Sequence, residues 1–216
     1  MESLIHSLRE VTIRSISVSE MNNNVYLLTS KATGAQLLID AADDLPAIKQ
    51  LLADSEADSS EPTKLLRIAT THQHWDHVRA LPELVKVAGA TTSAGADDAD
   101  ALPVPVDVRL SNGDVERFDD FEVSAVHLRG HTPGSIAFVY QDPEGPAHIF
   151  SGDSLFPGGV GNTQNDPERF TSLLNDVTER LFDAYPDDTV VHPGHGLPTT
   201  LGAERPHLEE WRARGW

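Results

Sequence analysis

The sequence predicts a layered α/β domain, and three observations predict it. Apolar runs of strand length alternate with amphipathic runs of helical period along most of the chain. Several of the strands end in loops rich in Gly, His and Asp, where α/β folds gather functional groups. No repeat, linker or compositional break divides residues 1–216, so the chain reads as one domain.

The elements follow in order. Residues 25–29 and 36–40 are apolar runs separated by Lys-Ala-Thr-Gly, a hairpin signal. Residues 45–53 read as a helix, with Asp44 as N-cap and Pro46 in the first turn. Residues 65–71 are a short strand. Residues 78–88 carry Leu81, Leu84, Val85 and Ala88 at helical spacing and stop at Gly89. Residues 121–128, 136–140 and 148–151 are further strands. Residues 167–182 form an amphipathic helix, with Phe170, Leu173, Leu174, Val177 and Leu181 on one face and Asp166 at its start. Residues 189–191 read as a buried strand and 204–214 as a last helix. The acidic, Ala-rich stretches 54–61 and 94–101 read as solvated loops.

The chain has no cysteine, so disulfides, thiolate metal sites and a catalytic Cys are excluded, and any metal must be held by His and carboxylate. Hydrophobic residues at 39% and charged residues at 23% fit a globular domain that buries a core without staples. The formal net charge is −18, from 16 basic and 34 acidic side chains. Such a surface repels phosphate, so nucleic acid and anionic membranes are poor partners. An acidic Glu2, no apolar core of signal length and no spanning stretch make a cytoplasmic location the default expectation.

The stretch Thr70-Thr71-His72-Gln73-His74-Trp75-Asp76-His77 follows directly on an apolar strand. In extended chain, residues i and i+2 point the same way, so His72 and His74 can grip one ion; Asp76 and His77, past the turn, can face a neighbouring one. Imidazole and carboxylate suit zinc, iron or manganese. One loop cannot close two sites. His131 in Gly-His-Thr-Pro-Gly, Asp153 in Ser-Gly-Asp-Ser and His195 in Pro-Gly-His-Gly each stand just past a strand, in turn-forming sequence. Each alone is a weak signal; with the first loop they are a strong one.

This order of motifs, HxHxDH followed by GHTPGS, GD and GHG, resembles that of the metallo-β-lactamase superfamily, from the strand at Val25 to His195. The resemblance implies a four-layer αββα sandwich with the site at one edge. It implies that His72, His74 and His131 hold a first divalent ion, that Asp76, His77 and His195 hold a second, and that Asp153 bridges them. Two Zn2+ ions are then the expected cofactor, with Fe or Mn as alternatives, and Asp40 supports the metal loop. His74-Trp75-Asp76-His77 and Gly152-Asp153-Ser154-Leu155-Phe156 are most similar to the glyoxalase II branch, whose members hydrolyse thioesters such as S-lactoylglutathione. The chain departs from that branch at Arg129, where many members have Pro or Cys. It departs again at Arg79-Ala80, which replaces a Gly pair, and at Asn162-Thr163, which stands where Gly-Arg is usual. The segment after His195 is shorter than the helical region that helps hold glutathione in that branch.

Two divalent ions about 3.5–4 Å apart lower the pKa of a shared water toward about 7, giving a bridging hydroxide. Asp76 is expected to orient that nucleophile as well as bind metal. A thiolate, with pKa near about 8.5, departs without protonation, whereas an amine needs a donor that the motifs do not supply. The expected activity is therefore hydrolysis of a small thioester or ester. β-Lactams rank lower because, by resemblance, true β-lactamases replace the bridging Asp with Cys or Ser. The main alternative is a persulfide dioxygenase-like oxidoreductase, with one iron on the equivalents of His72, His131 and Asp153. The Gly-Arg-Thr-Asp stretch associated with that class is absent, and Gly161-Asn162-Thr163-Gln164 stands instead. A non-catalytic binding module would be expected to have lost some ligand positions.

Arg129 and His192 are the candidates for substrate contact, Arg129 toward an anionic group or else a surface ion pair, His192 as pocket lining. His6, His148 and His207 read as ordinary surface or internally satisfied histidines, and His127 as a core or supporting group. Trp75 alternates away from the ligands and reads as a packing residue. Asn22 to Asn24 form a polar turn or a pocket rim.

Overall fold

The computed structural model describes residues 4–215. Glu2, part of the reading of the N-terminus, lies outside the described residues.

The first half builds a sheet whose strands lie side by side in chain order: β1 (Leu4–Ser7), β2 (Val11–Val18), β3 (Asn23–Ser30), β4 (Ala35–Ile39), β5 (Lys64–Thr70), β6 (Thr91–Gly95) and β7 (Val108–Leu110). Pairing is antiparallel from β1 to β4 and parallel from β4 to β7. The parallel pairings need crossovers, and helices α1 (Leu45–Asp54) and α2 (Leu81–Ala88) supply two of them. The second half contributes β8 (Val115–Phe118), β9 (Phe121–His127), β10 (Ile136–Gln141) and β11 (Ala147–Gly152), then a small hairpin, β12 (Leu155–Phe156) with β13 (Gly159–Val160). Helix α3 (Pro167–Val177) leads to β14 (Val190–Pro193) and β15 (Thr199–Thr200), and the second sheet runs β15-β14-β11-β10-β9-β8. Helices α4 (Leu201–Glu204) and α5 (Leu208–Arg214) close the chain.

Side-chain alternation explains the layering. On β3, Val25 and Leu27 pack toward α1 and α2 while Tyr26 and Leu28 pack between the sheets. On β10, Ile136, Phe138 and Tyr140 face the inter-sheet core while Ala137 and Val139 face α3. Three apolar cores therefore separate four layers, and the strands read as continuous apolar runs because both faces are covered. The expected αββα sandwich is the observed fold.

Asp44 caps α1 by accepting from the Ala47 N–H, and Asp166 caps α3 by accepting from Glu168 and Arg169. Other boundaries differ from expectation. Helix α2 starts at Leu81 rather than Val78, because Pro82 favours the first turn; Val78 and Ala80 still pack in the core. The helix expected over 167–182 becomes a π-helical turn after Val177, keeping Leu181 and Phe182 buried. The last helix starts at Leu208, behind a 3-10 turn containing Pro206. The stretch 54–61 is not merely solvated: Ser55–Asp58 is a 3-10 turn, and Asp58 pairs with Arg14. No helix among the described residues is long and apolar enough to cross a membrane.

Candidate metal centre

Both sheets bring their strand ends to one edge, and backbone hydrogen bonds join them there. Ile136 N donates to Thr71 O at 2.8 Å and Asn24 N to Gly194 O at 2.8 Å across the two sheets, and Gly194 N donates to Gly152 O at 2.8 Å within the second. His72 and His74 follow β5, and Asp76 and His77 lie in the 3-10 turn Trp75–His77. His131 follows β9, Asp153 follows β11 and His195 follows β14. The fold thus brings together all seven residues that the sequence singled out as ligands.

They converge as overlapping triads. The ligand atoms of His72, His74 and His131 lie within 4.8 Å of one another, as do those of Asp76, His77 and His195, and those of His72, His77 and Asp153. In the second triad His77 Nε2 is 3.2 Å from His195 Nε2, and Asp76 Oδ2 is 3.3 Å from His195 Nε2 and 3.6 Å from His77 Nε2. Asp153 stands between the triads: Oδ1 is 3.4 Å from His77 Nε2, and Oδ2 is 3.6 Å from His131 Nε2 and 3.5 Å from His195 Nε2. Ligands about 2.0–2.1 Å from a tetrahedral ion are separated by about 3.3–3.4 Å, so this spacing suits a shared cation.

The outward nitrogens are held. His131 Nδ1 donates to Asn162 O at 2.8 Å and His195 Nδ1 to Met21 O at 2.9 Å; carbonyls only accept, so each Nε2 presents a lone pair inward. His72 Nδ1 lies 3.0 Å from Thr71 Oγ1, which itself donates to Asp40 Oδ2 at 2.7 Å. His77 Nδ1 lies 2.9 Å from the same Asp40 oxygen. Asp40 is buried, in a left-handed conformation at φ 59°, and supports the metal loop as expected. Meanwhile the buried His72 Nε2, His131 Nε2 and Asp153 Oδ1 have no hydrogen-bond partner among the described residues. Buried polar atoms without partners are costly, and here they face one small volume.

Electrostatics agree. Burial drives the pKa of His72, His74 and His131 down, leaving neutral imidazoles. Burial works the same way on His77, but Asp40 and Asp153 outweigh it and raise this pKa to about 10. Burial would raise Asp153, yet His195 and His77 hold it well below the usual carboxylate range. The centre demands positive charge. A proton on His77 supplies some of it, and a divalent cation would take that proton's place. Imidazole and carboxylate donors on this spacing fit such an ion.

Supporting residues were only partly legible. Asn23 Nδ2 donates to Asp76 Oδ2 at 2.9 Å, and Asn24 Nδ2 donates to the carbonyls of Pro193 and Gly196, so the Asn segment clasps the His195 loop rather than forming a free turn. Asp98, expected in a solvated loop, is fully buried. It accepts from Gln73 N at 2.9 Å, Thr132 Oγ1 at 2.6 Å and Gly134 N at 2.7 Å. Gly134 is required there, because a Cβ would stand 2.3 Å from Asp98 N. The Gly-Ala-Asp-Asp sequence carried no periodicity that would have revealed this.

The remaining expectations meet mixed outcomes. His192 does not reach the centre; it stacks on Phe150 and His148, with His6 and Tyr26 against it. Of the two readings offered for His148 the interior one holds: it is buried, and its Nδ1 lies 2.9 Å from His192 Nε2. Trp75 is exposed, with the Arg79 guanidinium 3.9 Å over its ring. His127 bonds Pro133 O at 2.8 Å, in the loop that carries His131, and His207 is a surface residue near Glu210, as expected. Arg129 lines a cavity beside His74 and His131 while pairing with Asp176.

Comparison with known proteins gives a consistent picture. The family model of the metallo-beta-lactamase superfamily matches residues 18–195. A hydroxyacylglutathione hydrolase of Jannaschia sp. (strain CCS1) is 34% identical over 175 residues, 81% of this chain and 62% of that protein. The chain therefore spans under two thirds of that relative's length. The crystal structure of TTHA1623 in a di-iron-bound form is 33% identical, with a TM-score of 0.68, covering 88% of this chain and 96% of that one. ETHE1 from Myxococcus xanthus is 26% identical, with a TM-score of 0.78, covering 93% and 84% respectively.

Proposed function

The chain belongs to the metallo-beta-lactamase superfamily, and from that premise we propose that it hydrolyses a small thioester or ester using two divalent metal ions. The observation that carries the proposal is the convergence of two triads on Asp153, with inward-facing buried atoms that lack protein partners. In this assignment His72, His74 and His131 hold one ion, Asp76, His77 and His195 the other, and Asp153 both. The donor set accepts zinc, iron or manganese. Bound there, the pair would supply Lewis acidity and bring the pKa of a water toward about 7.

The chain's own groups do the rest. Asp40 and the Met21 and Asn162 carbonyls keep His77, His195 and His131 in the tautomer that offers Nε2. Asn23 donates to Asp76 Oδ2 and so fixes the carboxylate, which would be placed to hold metal and to orient a water bound there. The cavity beside His74 and His131 receives the substrate. A thiolate leaving group needs no proton donor, so the reaction asks no acid of the cavity lining. Hydroxyacyl-thiol hydrolysis is the specific reaction proposed, in keeping with the name of the Jannaschia relative. A one-ion oxidoreductase would leave Asp76 and His195 without a task.

Elemental analysis of the purified protein, paired with turnover of S-lactoylglutathione and of thioesters on other small thiols, tests this. Two ions per chain and thioester cleavage are expected. A single iron with oxygen consumption, or β-lactam opening without thioester cleavage, overturns it.

A further inference from the structure

We infer that the substrate carries a carboxylate and that Arg129 recognises it, an inference that rests on the hydrolase reading above. The cavity beside the first triad has a volume of about 600 Å³, the size of a small-molecule site. It shares His74 and His131 with that triad and is lined further by Gln73, Gln164, Arg129 and Arg169. A thioester lying over the first triad would therefore extend past Arg129.

Arg129 is built to present a fixed donor. Its Nε and Nη2 donate to the two oxygens of Asp176 at 2.8 and 2.7 Å, and its backbone N–H adds a third bond at 2.9 Å. The Asp176 side chain is 4% exposed while that of Arg129 is 53% exposed. The guanidinium is thus anchored along one edge by a buried carboxylate, and Nη1 has no partner among the described residues. A planar fork held in this way loses little entropy on gripping a second carboxylate.

Charge around the cavity points the same way. Asp176 also faces Arg180 at 3.4 Å, so two guanidiniums share one carboxylate. Arg169 donates Nε and Nη2 to the carbonyls of Gly130 and His131, not to an acid. Glu168 in the lining and Glu179 near Arg129 offset these cations, which leaves the mouth about neutral on a chain of net charge −18. An anion repelled by the general surface is not repelled here.

The test uses the metal-loaded protein and two isosteric substrate pairs. S-acetyl-3-mercaptopropionate against its amide places the carboxylate on the thiol side; S-glutaryl-ethanethiol against its amide places it on the acyl side. We expect a preference of about tenfold in kcat/KM for the carboxylate in one pair, the size of a charge-assisted hydrogen bond. R129Q should abolish that preference, bringing acid and amide to equal kcat/KM, and R129K should restore part of it. The pair that shows the preference identifies the side. Preference in neither pair, or preference that survives R129Q, overturns the inference. Failure to cleave any of the four would instead count against the hydrolase reading. Arg129 would then be judged by calorimetry with S-methyl-3-mercaptopropionate and its amide, where equal affinity, or a difference that R129Q leaves intact, overturns it. Asp176 keeps Arg180 and the residue-129 N–H in the variant, so the fold should survive, which a thermal melt checks.

Discussion

Asp98 accepts a hydrogen bond from Thr132 Oγ1 at 2.6 Å in the protein interior. The same carboxylate accepts from the backbone of Gln73 at 2.9 Å, so it ties the loop carrying His72 and His74 to the loop carrying His131. None of its hydrogen bonds among the described residues goes to a ligand atom, yet it sets the distance between two of the segments that form the first triad.

Asp98→Asn should therefore weaken metal binding without dismantling the sandwich. Replacing one oxygen by an NH2 group turns an acceptor that receives several N–H and O–H bonds into a partial donor. Loss of a group supporting the ligands costs about 10–100-fold in metal affinity. Competition with a chromophoric chelator measures it, and wild-type affinity would refute the positioning role.

Gly194→Ala should remove one ion selectively. A Cβ at this position would stand 2.2 Å from Asp153 Oδ1 and 2.8 Å from His77 Cε1, so the carboxylate must shift away from the second triad. The expected result is a folded protein with metal content falling from two ions per chain toward one. Full occupancy by elemental analysis would show that Asp153 does not need that space.

Tyr26→Phe probes the clasp on the His195 loop. The Tyr26 hydroxyl donates to Pro193 O at 2.7 Å, and Asn24 Nδ2 donates to the same carbonyl at 3.0 Å. Because the carbonyl keeps one partner, the loss should be about 1 kcal/mol. For a chain of this length that lowers Tm by about 2–4 °C, readable by calorimetry.

The histidine cluster away from the centre, in which His148 and His192 are buried, predicts acid sensitivity. His6, His148 and His192 pack together, with Asp142 the nearest acidic influence, and burial followed by His6 lowers the pKa of His148 to about 4. Between about 4 and the ordinary value of 6.5 the unfolded chain binds this proton and the folded chain does not. Stability should therefore fall as pH drops through that window and level off below it. H148F should flatten the slope of Tm against pH relative to wild type; an unchanged slope would place the sensitivity elsewhere.

Local sequence carried the metal loop clearly, because His72, His74, Asp76 and His77 lie within one strand-to-turn segment whose directions follow from backbone geometry. His131, Asp153 and His195 were legible through their Gly-flanked positions past apolar strands. Trp75 was misread because alternation gives a direction but not what lies there; it faces solvent under Arg79. His6, His148 and His192 sit on β1, β11 and β14, strands of two different sheets, so no spacing along the chain relates them.

The amino-acid sequence by itself determined the layered α/β class, the caps at Asp44 and Asp166, and the identity of the residues that gather at the sheet edge, because strand period, capping chemistry and ligand type are local properties; the αββα arrangement came from the family resemblance. Only the tertiary structure decided that Asp98 is buried, that Asn23 and Asn24 clasp the His195 loop, and that Arg129 is anchored by Asp176. Each of those depends on a partner 34 or more residues away along the chain, and a hydrogen bond's worth is set by which groups the fold removes from water together.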